Sequence, residues 1–135
     1  MGFNSFAPTT QMLGRWQPWH AGHTELFKRA LAEKGQVCIQ IRTVPQDKDA
    51  SGGRTMTQDD NPFIVTDVQE NIKKELALEG FTYNKEYIIM VVPNIVDISY
   101  GRGVGYTLTE HDLGATIHNI SATKIRAKMR DEGKL

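Results

Sequence analysis

The sequence predicts an α/β fold, a single domain built on a parallel sheet with helices packed against it. Three observations carry this prediction. A short strand candidate over Thr10–Leu13 is followed by a helical pattern and then by a β-branched run, Val37–Ile41. Strand, helix, strand in that order is the unit from which parallel sheets are made. A continuous apolar run, Tyr87–Pro93, has the composition of a central strand buried on both faces. The chain has 135 residues, 39% of them hydrophobic and 24% charged, which is enough apolar material for one core.

Taken in order, residues 1–9 end in a mixed stretch with a proline and read as a loose arm, leaving 10–135 as the domain. After Leu13 comes Gly14-Arg15-Trp16-Gln17-Pro18-Trp19-His20-Ala21-Gly22-His23. Pro18 fixes its own φ and biases Gln17 toward extended backbone, giving a stiff turn that aims His20. Trp16 and Trp19 pack on the core or line a pocket, and packing is the ordinary fate of large aromatics. From Thr24 to Glu33, Leu26, Phe27, Ala30 and Leu31 share one helical face, and Lys34-Gly35 supplies a C-terminal cation and a glycine cap.

Residues 42–61 form a long polar loop. Asn61 and Pro62 then read as N-cap and first residue of a second helix running to about Glu79. Ile64, Val68, Ile72 and Leu76 step along its buried face with Val65 beside them, and Gly80 stops it. Asn94 and Asp97 follow the apolar strand and suit turn positions. Tyr100–Tyr106 alternates three glycines around Arg102 and is either a glycine-rich turn or a close approach to a ligand, ahead of a strand expected over Tyr106–His111. His111 and His118 read as exposed or locally bonded side chains and not as metal ligands. Ser121 then caps a C-terminal helix.

The chemistry concentrates at two helix starts. A helix N-terminus presents backbone N–H groups and a partial positive charge, which suits phosphate. His20 and His23 sit at the first such start, and imidazoles donate to phosphoryl oxygens whether or not they are protonated. Gly22 between them lets a phosphate approach the main chain. Ser121 and Thr123 place two hydroxyls at the second start, and Arg126 lies one turn on. Arg102, among the glycines, is a further candidate for a phosphate contact, and Arg42, Lys48 and Arg54 are cations of the long polar loop. No nucleophile stands beside an activating base, which fits direct in-line transfer.

Gly14–His23 resembles the first motif of the HIGH-type nucleotidyltransferase superfamily, whose signature is His-x-Gly-His after a first strand. Ile120-Ser121-Ala122-Thr123-Lys124-Ile125-Arg126 resembles its closing motif, Ile-Ser-x-Thr-x-Ile-Arg. Two motifs in the right order, about one domain apart, are far more specific than either alone. The resemblance implies a Rossmann-like parallel sheet of about five strands with helices on both faces. It also implies transfer of a nucleoside monophosphate from an NTP to a small phosphorylated acceptor, with Mg²⁺ carried by the NTP. His20 and His23 would bind the α-phosphate, Ser121 and Thr123 the β- and γ-phosphates, and Arg126 would assist together with one basic residue after the second strand, Arg42, Lys48 or Arg54, among which the sequence does not choose. Gly14, Arg15, Trp16, Gly22 and Ile120 would contribute to nucleotide binding. The Gly-Arg-aromatic-Gln-Pro opening and Asn61-Pro62-Phe63 resemble adenylyltransferases of cofactor synthesis, so ATP is favoured. The compact length resembles small cytidylyltransferases that activate sugar or polyol phosphates with CTP. A nucleotide-binding module without chemistry is the alternative of another class.

Charge and composition set further expectations. Sixteen basic residues balance sixteen acidic ones, so neither nucleic acid nor a membrane surface is expected as partner. Cys38 is the single cysteine, which precludes an internal disulfide, and it sits in an apolar run as a small hydrophobe. With no signal-like or membrane-spanning stretch, a cytoplasmic protein is expected. Relatives in the superfamily are often dimers or larger, and exposed sheet edges would favour that here.

Overall fold

β1 (Thr10–Gly14), α1 (Ala21–Lys34), β2 (Val37–Arg42), α2 (Val65–Leu78), β3 (Tyr87–Val92) and α3 (Ala122–Asp131) follow one another along the chain. The computed structural model describes residues 2–44, 62–101, 106–114 and 122–133, and for 122–124 and 126 the backbone alone. The strands form one parallel sheet in the order β1-β2-β3. Met12 stands beside Ile39 and Ile39 beside Ile89, while Gly14 stands beside Ile41.

The core lies on one face of this sheet. Along β2, Val37, Ile39 and Ile41 are buried and alternate with half-buried Cys38, Gln40 and Arg42. Phe27 and Ala30 of α1 pack into the same cluster as Val68, Ile72 and Leu76 of α2, together with Met12 and Tyr87. Phe27 sits edge-on to both Phe81 and Tyr87, with ring centroids 5.1 and 5.7 Å away. Each buried Val, Ile, Leu, Phe or Met side chain among these contributes roughly 1.5–3 kcal/mol.

The sequence-based elements hold in outline, and four points differ. The sheet has three strands among the described residues, where about five are expected. Residues 106–110 carry no strand, and Tyr106 and Leu108 are exposed there. Arg29 of α1 donates to the Asp112 carbonyl, so this segment is tied to a helix side chain and not to a sheet edge. α1 and α2 both lie on one face, as sequential strand order with crossovers of a single hand requires. Among the described residues β2 is the one strand beside β3, which therefore lies at the edge of the described sheet where a central strand is expected, and Met90 and Val91 are each 46% exposed.

The helix boundaries also move. α1 begins at Ala21, three residues earlier than its apolar pattern, and ends as expected with Gly35 at φ +86°. α2 begins at Val65 with Ile64 as N-cap and no side-chain cap, whereas Pro62 lies outside the helix. Asn61 lies outside the described residues.

The N-terminal residues are fastened down, contrary to the loose arm expected. Phe3 N–H donates to the Asn84 carbonyl at 2.8 Å. Gln36, buried between α1 and β2, donates to the Asn4 carbonyl and to Thr9 Oγ1 at 2.7 Å each and accepts from Asn4 N–H. No helix of the described residues is long and apolar enough to cross a membrane.

Candidate functional site

The loop between β1 and α1 lies at the carboxyl end of the sheet, where parallel α/β folds bind ligands. It opens at Gly14. A Cβ there would meet the Trp16 indole at 2.8 Å, so glycine is what allows that ring to fold back over the strand end. Trp16 adopts φ +56°, and its Nε1–H donates to the Gln40 carbonyl at 3.0 Å. Both indoles are buried. Trp19 donates from Nε1 to Thr24 Oγ1 at 2.8 Å, inside the first turns of α1. The Gln17–Pro18 peptide bond is cis.

These rings form the bed on which His23 rests. Trp16 meets His23 edge-on with centroids 4.8 Å apart, and Trp19 lies 5.5 Å from the same ring. His20 stacks on His23 at 3.7 Å with 21° between planes.

The two histidines also cap the helix. His20 has extended backbone and is the N-cap of α1, which puts Ala21, Gly22 and His23 in the first turn. His20 Nδ1 accepts from Gly22 N–H at 3.0 Å, and His23 Nδ1 accepts from His20 N–H at 3.1 Å. This is the reciprocal arrangement of a capping box, made with imidazoles in place of a hydroxyl and a carboxylate. The Gly22 N–H, one of the amides at this helix start, is thereby occupied by His20.

The same bonds determine the tautomers. An Nδ1 that accepts carries no proton, so each neutral ring bears its proton on Nε2. Burial holds His20 below its ordinary pKa. Burial, and then the charge that His20 would carry, push His23 down to about 3. The pair is therefore two neutral rings, each with an Nε2–H donor.

Of the other residues singled out from the sequence, Arg15 is half-buried in the loop and Arg42 is the last residue of β2, at the same end of the sheet. Thr43 follows it along β3, its Oγ1 donating to the Val92 carbonyl at 2.7 Å. Thr123 and Arg126 lie on α3, with their side chains outside the description. Lys48, Arg54, Arg102, Ile120 and Ser121 lie outside the described residues. Asp97 accepts from the Ser99 hydroxyl on exposed chain beyond β3. Among the described residues no group of three or more His, Cys, Asp or Glu side chains converges on a point.

Sequence reasoning passed over Gln17. It is 6% exposed, and its amide bonds both the N–H and the carbonyl of Phe63, each at 2.9 Å. The signal was present as an uncharged polar side chain between Trp16 and Pro18, flanked by the two indoles.

The chain is similar to a known enzyme. Over 89 residues it is 30% identical to a nicotinamide-nucleotide adenylyltransferase of Methanococcus maripaludis. The match supports a nucleotidyltransferase-like relationship. It covers 66% of this chain and 43% of that protein, so the chain spans less than half the length of this relative. No protein-family model matches the chain.

Proposed function

We propose that this protein is a nucleotidyltransferase that moves AMP from ATP to a small phosphorylated acceptor. The observation that carries the reading is the histidine pair. Two neutral imidazoles, both with Nδ1 engaged by the capping box, offer Nε2–H donors at a helix start, at the ligand end of a parallel sheet. The name of the matched relative adds support for the adenylyl group, and for nicotinamide mononucleotide as the first acceptor to try.

In the proposed step an oxygen of the acceptor phosphate attacks the α-phosphorus of ATP in line. The bond from that phosphorus to the oxygen bridging to the β-phosphate breaks, and pyrophosphate leaves with the electron pair. No covalent enzyme intermediate forms. Negative charge accumulates on the non-bridging α-oxygens, and His20 and His23 donate to them. Donors held in place before the reaction cost no reorganisation at the moment of charge development. Ser121 and Thr123 would hold the outer phosphates, with Arg126 and Arg42 as cations beside them, and Gly14, Arg15, Trp16 and Ile120 would frame the nucleotide. Mg²⁺ would enter on the nucleotide. It prefers oxygen ligands and often binds mainly through substrate phosphates, whereas the loop between β1 and α1 offers imidazole and amide groups.

Pyrophosphate release tests this. ATP with Mg²⁺ and nicotinamide mononucleotide is run beside CTP and beside sugar and polyol phosphates. Release with ATP is expected, and release with CTP alone would move the reading to a cytidylyltransferase. Nucleotide binding without release under any pairing would leave a binding module. His23→Ala is expected to lower kcat by on the order of 10²–10³. Near-normal turnover in a folded His23→Ala protein would refute the assignment.

A further inference from the structure

The loop that carries the histidines is held from outside by α2. Gln17 spends both polar atoms of its amide on the main chain of Phe63, 46 residues away. Phe63 immediately precedes Ile64, the N-cap of α2, which has no side-chain cap of its own. Two residues beyond Gln17, the Trp19 carbonyl accepts from Asn71 Nδ2 of the same helix at 3.4 Å. Contacts from this one segment thus grip the loop on either side of Pro18. Trp19 continues directly into His20, and its ring lies against His23.

We propose that Gln17 is a positioning residue for the transfer reaction, its amide fastening the histidine loop to the entrance of α2 and so setting where the two imidazoles stand. This rests on the nucleotidyl-transfer reading above. The chemistry is specific to a primary amide. One donor and one acceptor, held about as far apart as those of a peptide group, match the N–H and C=O of one residue, Phe63. Methionine has the length and neither hydrogen bond. Glutamate keeps an acceptor for Phe63 N–H but turns a second oxygen toward the Phe63 carbonyl until it is protonated. An error of about 1 Å in the placement of a catalytic group costs on the order of 100-fold in rate, so a side chain that touches no substrate can govern kcat.

Two variants, Gln17→Met and Gln17→Glu, test the proposal on the intact chain. Circular dichroism checks folding. Amide exchange at Phe63, the NMR titration of the His20 and His23 rings, and the kinetics of pyrophosphate release are then read. In Gln17→Met we expect faster exchange at Phe63, a His23 midpoint that rises toward 6.5, and a kcat lower by on the order of 10- to 100-fold with KM for the nucleotide little changed. In Gln17→Glu we expect kcat, relative to Gln17→Met, to recover as pH falls from about 8 to about 5.5, where a buried carboxyl regains its proton and can donate to the Phe63 carbonyl. This second variant carries the test if the first does not fold. Faster Phe63 exchange with an unmoved His23 titration and an unmoved kcat would overturn the proposal, leaving a staple with no hold on the histidines. If the unaltered protein releases no pyrophosphate, the transfer reading fails, and the His23 titration still decides whether Gln17 positions the pair.

Discussion

The buried, neutral state of His23 has a measurable consequence for stability. In the unfolded chain its imidazole titrates near the ordinary value of 6.5, and in the folded protein burial and the neighbouring His20 push it down to about 3. Between those values the unfolded chain takes up a proton that the folded chain refuses. Stability from this group is therefore complete above 6.5 and is lost as pH falls toward 3, at about 1.4 kcal/mol per pH unit. From pH 7 to pH 5 the loss from His23 alone is about 2 kcal/mol, a large share of the 5–15 kcal/mol typical of a small domain. The comparison protein is His23→Gln. Glutamine suits the third helical position of a capping box but does not titrate. It loses the contacts with Trp16 and Trp19 at every pH, so the informative quantity is the slope and not the offset. Urea unfolding of both proteins at pH 7, 6 and 5 reads it. The advantage of the unaltered protein over His23→Gln is expected to shrink by about 2 kcal/mol across that range. Parallel pH dependences in the two proteins would refute the argument that His23 is held neutral.

Three further outcomes follow from the same geometry. Gly14→Ala drives a Cβ to 2.8 Å from an indole that is buried and hydrogen-bonded to Gln40, so a loss of about 1–3 kcal/mol is expected in urea unfolding, with a shift in Trp16 fluorescence. Phe27→Ala removes a fully buried ring that links α1 to Phe81 and Tyr87, and should cost about 3–5 kcal/mol. His20→Ala loses the helix cap as well as a donor. Its stability should fall by about 0.5–2 kcal/mol, and its pyrophosphate release should fall by far more than that loss explains, a separation visible when activity is measured well below the melting temperature.

Much of this molecule is legible without coordinates, because it rests on local rules. The apolar stripe of Phe27 and Ala30, the run of Val68, Ile72 and Leu76, the β-branched strand at Val37–Ile41 and the glycine at 35 each follow from periodicity or backbone preference within a few residues. The position of two histidines at a helix start is also local, since the helical pattern from Thr24 begins directly after them. Non-local decisions are another matter. The apolar run Tyr87–Pro93 says that a strand forms and does not say what pairs with its far side, so β3 reads as central and lies at an edge among the described residues. The fastening of Asn4 and Thr9 depends on Gln36, and that of the histidine loop on Phe63, contacts 27 to 46 residues apart. Neither has a periodic signature. The orientation of the imidazoles is likewise decided by packing. The sequence by itself determined that His20 and His23 share a helix start. Only the folded chain, by setting His23 against two buried indoles, stacking His20 on His23 and turning both Nδ1 atoms onto the capping amides, decided that they are neutral and that Nε2 carries the proton. The physical reason is that protonation state and tautomer are properties of surroundings, of solvent exclusion and hydrogen-bond partners, and those exist only once distant segments have come together.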